Sequence, residues 1–208
     1  VLVAGCAGDT ESDTATPGAA ADTSGEAAAP SGAAAPTGAG GDAPDADVPA
    51  DEQGAEPAAL MGSSWTAADT EVARPNARAA LLREIRTARH NDFDRIVLDF
   101  GADAVPGYRI SYIDSPVRQC GSGNPVPLAG DAWLSVTVQP ANAHTEEGEP
   151  TVRERERAPR LPVLLELKLI CDFEAMVEIV AGVESPEQYR SFVLKSPNRL
   201  VVDIMHPR

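Results

Sequence analysis

Histidines are the first residues to consider for acid–base catalysis, because an imidazole can serve as the base that activates a nucleophile. The chain has three, His90, His144 and His206, and they are far apart in the sequence. No Gly-x-Ser-x-Gly turn accompanies them, although histidine-activated serines are often presented on such a turn. The pattern therefore predicts ordinary surface histidines.

Two acidic pairs, Asp92/Asp94 and Glu146/Glu147, could in principle share general acid and base roles. We expect solvated loop charges instead, because nothing near them suggests the apolar burial that raises a carboxyl pKa. The sequence has no Cys-x-x-Cys or His-Glu-x-x-His pattern and no glycine-rich phosphate loop. It predicts no catalytic residue, no metal site and no cofactor.

The three cysteines point to a different chemistry. The run Leu2-Val3-Ala4-Gly5-Cys6 resembles the lipobox of bacterial lipoproteins, in which the cysteine is diacylated on sulfur and begins the mature protein. This resemblance implies that residues 1–6 are the end of a lipoprotein signal peptide with its lipobox cysteine. It also implies that the lipid on Cys6 anchors the protein to the bacterial cell membrane, outside the cytoplasm. The alternative is a small-residue stretch with a chance cysteine.

If Cys6 carries lipid, Cys120 and Cys171 are left. In an exported domain, two such cysteines predict one disulfide, here across 51 residues. The alternative is two separate buried thiols.

Residues 7–62 hold eleven acidic residues and no Lys or Arg, and most of the rest are Ala, Gly, Pro, Ser and Thr. Such a segment cannot bury enough apolar surface to offset the entropy of ordering, so we expect a disordered linker. Its typical reach would be about 40 Å. The alternative is an acidic interaction tail.

Residues 61–208 carry 17 basic and 21 acidic residues, a net charge of −4 without a basic stripe. Nucleic acid is therefore not an expected partner. Alternation of apolar and polar residues predicts strands and an all-β, antiparallel two-sheet sandwich. In the run from Val163 to Ile170, it places Val163, Leu165, Leu167 and Leu169 on one face. The predicted strand runs are Arg95–Phe100, Tyr108–Tyr112, Trp133–Gln139, Val163–Ile170, Met176–Val183, Tyr189–Leu194 and Arg199–Met205.

The run Phe192–Ile204 resembles the closing hairpin of AMIN domains, in which an apolar strand, a Pro-containing turn and an Arg-Leu-Val-Val-Asp-Ile strand end the fold. Phe93–Phe100 and Pro106–Ile110 resemble more narrowly the AMIN-like domain of bacterial, often actinobacterial, lipoproteins. The resemblance covers residues 78–207 and implies a two-sheet β module. The spacing in Ala79–His90 fits a helix as well as a strand and by itself favours a helix, but the resemblance favours a strand, which we expect. AMIN domains direct amidases and secretin components to the periplasmic envelope.

A ligand-binding surface is a better functional candidate than a catalytic or metal site. Trp133 falls on the opposite strand face from Leu134, where it could stack on a sugar ring. The alternative is burial under a long charged loop or against Trp65. Arg109, Arg118 and Arg199 could pair with carboxylates of a wall peptide, structural ion pairs being the alternative.

Together, these features predict a lipid-anchored, non-catalytic envelope module that binds peptidoglycan or another wall glycan. The alternative is an assembly lipoprotein that docks an envelope protein through the charged loop 144–160. We expect this loop to be solvated rather than an edge of the core.

Overall fold

The computed structural model describes residues 63–208, which form twelve β-strands and no helix. Residues 1–62, with the predicted lipobox and linker, lie outside the described residues. The strands are β1 (Thr70–Val72), β2 (Ala80–Leu81), β3 (Glu84–Arg89), β4 (Phe93–Gly101), β5 (Gly107–Ile113), β6 (Ala132–Gln139), β7 (Ala141–Asn142), β8 (Glu156–Arg157), β9 (Leu164–Phe173), β10 (Met176–Val183), β11 (Tyr189–Leu194) and β12 (Asn198–Met205).

Ten of these strands form two antiparallel sheets that pack face to face. The larger sheet has the order β1-β5-β6-β10-β9-β8 and the smaller has the order β11-β12-β4-β3, while β2 pairs with β7 in parallel. Inward side chains of both sheets, such as Leu98 on β4 and Leu134 on β6, are fully buried in one core. The predicted all-β sandwich is confirmed. It also includes β1, which precedes residue 78 and pairs with β5.

The segment Ala79–His90 is strand, as predicted from the resemblance. Ile85 pairs with Leu98 of β4 and is 1% exposed. The helix-like spacing arises because the segment is two short strands, β2 and β3, with the buried Leu82 between them.

Strand β9 departs from simple alternation. Register shifts against β10 leave Leu165 and Ile170 without a partner, as β-bulges do. The core therefore receives Leu164 and Leu167, and the prediction that Leu165 shares the core face is wrong. The strand also continues to Phe173, so a two-residue turn, Glu174–Ala175, closes the hairpin with φ angles of 49° and 57°.

The charged segment 144–160 is partly an edge of the core, contrary to the prediction of a solvated loop. It contains β8, which pairs with β9 and borders the larger sheet. Val152 is 3% exposed within the main core, and the Thr151 hydroxyl donates a hydrogen bond to the Leu82 carbonyl. Because positive and negative charges alternate along the segment, its hydropathy pattern did not indicate strand β8 or the buried Val152.

Candidate functional site

Cys120 and Cys171 form a disulfide, as predicted. Cys171 lies on β9, and Cys120 lies in the connection between β5 and β6. The bond therefore holds that connection against the outer face of the larger sheet. Val117, Val126 and Leu128 of the connection pack there in an apolar cluster.

Trp133 belongs to this same cluster. It lies on the outer face, as its position in the alternation predicted, but it is half-buried and its indole N–H points to the Leu128 carbonyl at 3.5 Å. The β5–β6 connection, held by the disulfide, covers Trp133. Neither the charged loop nor Trp65, the two covers considered from the sequence, belongs to the cluster.

The structure does not bring the three candidate arginines together with Trp133. Arg109 on β5 is exposed and lies 2.7 Å from the Asp69 carboxylate. Arg118 donates to the Gly123 carbonyl in the β5–β6 connection. Arg199 on β12 belongs to the other sheet and is 3% exposed, so it is not part of an accessible surface.

A different aromatic cluster lies at the smaller sheet. Backbone hydrogen bonds of 2.8 Å in both directions join Thr66 to Tyr189 at the start of β11, which places Trp65 beside the outer face of that sheet. The Arg190 guanidinium carbon lies 4.5 Å from the Trp65 ring centroid and 5.0 Å from that of Phe93. These distances allow cation–π contact with both rings.

These residues line a cleft of about 630 Å³, here called the aromatic–arginine cleft. One side is formed by Trp65, Phe93 and Arg190, and polar groups surround it. Its full lining is Trp65, Asn91, Asp92, Phe93, Arg190, Met205, His206, Pro207 and Arg208.

Asp203 fixes the orientation of Arg190. This carboxylate is fully buried and accepts hydrogen bonds from Arg190 at 2.8 Å and from Arg95 at 2.7 and 3.0 Å. Arg95 is 1% exposed, and its guanidinium carbon lies 5.2 Å from the Phe93 centroid. One buried carboxylate thus holds two guanidinium groups beside the aromatic rings, and one of them, Arg190, lines the cleft.

A fixed aromatic surface beside cationic and amide groups is suited to binding a sugar ring and carboxylates. Sequence reasoning missed this cleft, having considered Trp65 only as a cover for Trp133. One signal was available. Phe93 and Arg95 are two residues apart on β4 and so share one face, and Arg190 and Phe192 are two residues apart on β11 and share the outward face there.

Two histidines pair with aspartates. His144 Nδ1 lies 2.8 Å from Asp172 Oδ1, and His206 Nε2 lies 2.8 Å from Asp94 Oδ1. The third, His90, stacks on Phe93 with ring centroids 4.5 Å apart.

Both aspartates also bind backbone. Asp94 is fully buried and accepts the N–H groups of Val163 and Leu164 at 2.7 and 2.9 Å, so the prediction of a solvated loop charge at Asp94 is wrong. Asp172 accepts the Ala143 N–H and an Arg155 N–H, each at 2.8 Å. These contacts give both carboxylates a structural role, because they tie loops to strands.

Asp172 should make stability depend on acid. Burial by itself raises its pKa, but hydrogen bonds from the Ala143 N–H, Arg155 and His144 outweigh burial and hold the pKa below its usual value. A lowered folded-state pKa stabilises the fold above the unfolded value of about 3.9, and this contribution is lost as pH falls further. We expect Asp172→Asn to lower the free energy of unfolding at pH 6, with a smaller difference at pH 3. Urea unfolding at both pH values measures this, and an equal difference at both would contradict it.

Neither a membrane-spanning helix nor a metal-binding cluster is found in residues 63–208. None of their segments is a helix long and apolar enough to cross a bilayer. No group of three or more His, Cys, Asp or Glu side chains there could hold a metal ion.

Comparison with known proteins gives one assignment. The family model of the AMIN-like domain matches residues 80–206, which is more than half of the chain and includes β2 to β12. No curated protein and no solved structure gives a significant match. The chain therefore belongs to the AMIN-like domain family, and this domain makes it a protein associated with the cell envelope.

Proposed function

We propose that this protein is a non-catalytic, lipid-anchored envelope module that binds peptidoglycan or another wall glycan in the aromatic–arginine cleft. Membership of the AMIN-like family supports the envelope location. The observation that carries the binding proposal is the contact of Arg190 with Trp65 beside an open cleft. Acylation of Cys6 would supply the anchor.

The chemistry of the cleft fits a wall polymer. The part of the Trp65 indole that Arg190 leaves uncovered offers an apolar surface to the C–H groups of a sugar ring, and Asn91 and Asp92 offer hydrogen bonds to its hydroxyls. Arg190 and Arg208 can form charge-assisted hydrogen bonds with carboxylates of a stem peptide. Because Asp203 fixes Arg190 before a ligand arrives, little entropy is lost in ordering that side chain.

Co-sedimentation with purified sacculi tests the proposal. The full chain, with Cys6→Ser to keep it in solution, should pellet with sacculi and be released by soluble muramidase fragments of the same wall. Absence of pelleting with every wall preparation would contradict glycan binding.

The second candidate function is docking of an envelope protein through the charged segment 144–160. The observation that favours it is that β8 and Val152 hold this segment in place while Arg153 and Glu154 are exposed. Deleting the segment would damage the fold, so the test is charge reversal, Arg153→Glu with Glu154→Arg. Loss of a cross-linked envelope partner would support docking, and unchanged cross-linking would contradict it.

A further inference from the structure

Strand β3 forms one edge of the smaller sheet and, among the described residues, pairs only with β4. It has six residues, a length of about 20 Å. The edge strands of the larger sheet, β1 and β8, have only three and two residues. The opposite edge of the smaller sheet, β11, is bridged at Tyr189 by Thr66. The edge of β3 is therefore the longest one that no other part of residues 63–208 bridges.

The backbone of β3 directs hydrogen-bonding groups away from the sheet at every second residue. The His90 N–H donates to the Phe93 carbonyl at 2.9 Å, which makes these two residues a hydrogen-bonded pair. Such pairs alternate along an antiparallel ladder with pairs that exchange no hydrogen bonds. The register then turns the backbone groups of Ile85, Thr87 and Arg89 away from β4. No backbone group in residues 63–208 bonds to them there, so they can accept a strand laid alongside.

A groove of about 410 Å³ lies between this edge and the charged segment 144–160. Ile85 lines one side, and Thr151, Val152 and Arg153 line the other. Both sides are tied to the core, because Ile85 is 1% exposed and Val152 is 3% exposed. An extended chain that pairs with β3 would therefore also contact the charged segment.

The ion pairs along the groove indicate the charge of the chain that fits. Its two acidic residues already have partners, since Glu84 lies 2.7 Å from Arg86 and Glu154 lies 2.8 Å from Arg157. The exposed arginines along the edge and groove that form no ion pair within residues 63–208 are Arg83, Arg89 and Arg153.

We propose that the β3 edge binds an extended, acidic peptide segment of another envelope protein, which joins the smaller sheet as an additional strand. Only an extended backbone matches donors and acceptors that recur at every second residue. Carboxylates of the segment form charge-assisted hydrogen bonds with Arg83, Arg89 and Arg153. The proposal rests on the second candidate function, because it gives the mode by which a protein would dock beside segment 144–160. It does not depend on glycan binding.

Two other occupants fit the edge less well. A second copy of the chain would bring the arginines of both edges to one seam, and like charges opposed across strands destabilise pairing. Residues 7–62 are acidic, but they are rich in Ala, Gly and Pro. These residue types are depleted in strands, and Pro cannot donate to a ladder.

Residue-resolved hydrogen exchange of the full chain with Cys6→Ser tests the edge. The probes are the synthetic peptide acetyl-Glu-Val-Thr-Val-Glu-Val-Thr-Val-amide and the same peptide with Lys in place of Glu. Without peptide, the amides of Thr87 and Arg89 should exchange about tenfold faster than those of Arg86 and Ala88, which bond to β4. An excess of the acidic probe should slow Thr87 and Arg89 about tenfold. By fluorescence anisotropy, the lysine probe should bind about tenfold more weakly.

Variants separate backbone pairing from charge. Thr87→Pro removes an edge donor without breaking a bond to β4, so it should weaken binding of the acidic probe about tenfold, whereas Thr87→Ala should bind normally. Arg83→Glu with Arg89→Glu should reverse the preference between the probes, and this result does not require the proline variant to fold. Lys195→Glu with Arg118→Glu changes the net charge equally at exposed positions away from β3 and should keep the preference.

The proposal is overturned if neither probe slows exchange at Thr87 and Arg89, if both probes bind equally, or if a folded Thr87→Pro binds as Thr87→Ala does. Slow exchange at these amides before peptide is added would also overturn it. Another part of the chain would then hold the edge, or a second copy if the protection disappears on dilution. These measurements use no envelope partner, so their failure is distinct from unchanged cross-linking in the variant with Arg153→Glu and Glu154→Arg.

Discussion

Replacing Asp203 by asparagine is expected to lower the free energy of unfolding by about 3–5 kcal/mol, the range for breaking a buried ion pair. Asp203 is fully buried and bonds to Arg95 and Arg190, and Arg95 is itself only 1% exposed. The amide would leave the guanidinium charges without their buried counter-charge. Urea denaturation at neutral pH measures the change.

Asp69→Asn is the matched control. Asp69 also lies 2.7 Å from an arginine, Arg109, but both side chains are 58% exposed. An exposed pair contributes about 0–1 kcal/mol, so this variant should unfold nearly as the unmodified protein does. Equal destabilisation by the two variants would show that burial of the Asp203 pair has no special effect.

Removing the disulfide by Cys120→Ala with Cys171→Ala is expected to cost about 4 kcal/mol, the chain-entropy value for a loop of about 50 residues. The bridge joins residues 51 apart and holds the β5–β6 connection over the outer face of the larger sheet. Without the bond, the unfolded chain gains conformational entropy, and the β5–β6 connection is held less firmly on the larger sheet. The melting temperature should fall by about 10 °C.

The double variant removes both the bond and a buried sulfur atom, because Cys171 is 2% exposed. A reducing agent breaks the bond but leaves both sulfur atoms in place, so it measures the contribution of the bond alone. Dithiothreitol should lower the melting temperature of the unmodified protein and leave that of the double variant unchanged. A double variant as stable as the unmodified protein would contradict a structural role for the bond.

Much of the fold was predictable because alternation reports directly on the two faces of a strand. The runs around Ile96, Leu134 and Leu200 lie on strands whose core faces match the pattern. The pattern failed at Leu165, because a β-bulge changes which residue faces inward and leaves no periodic signal. Val152 was missed because a single apolar residue among alternating charges has no period.

The site was less predictable, because it depends on long-range contacts. The cysteine pair followed from counting, and the outward position of Trp133 from alternation. The cover over Trp133 depends on the path of the β5–β6 connection, which local sequence does not specify. Likewise, the aromatic–arginine cleft joins Trp65, Phe93, Arg190 and His206, which only the sheet topology brings together.

The two tryptophans provide the most direct test of glycan binding in the cleft. Trp65→Leu and Trp133→Leu each remove an indole and keep an apolar side chain, and sacculus co-sedimentation of both, in the Cys6→Ser chain, compares the two locations. We predict that Trp65→Leu weakens binding about tenfold, equivalent to about 1.4 kcal/mol, whereas Trp133→Leu binds as the unmodified protein does. If Trp65→Leu binds normally and Trp133→Leu loses binding, glycan binding in the aromatic–arginine cleft is contradicted, and the surface around Trp133 is the binding site instead.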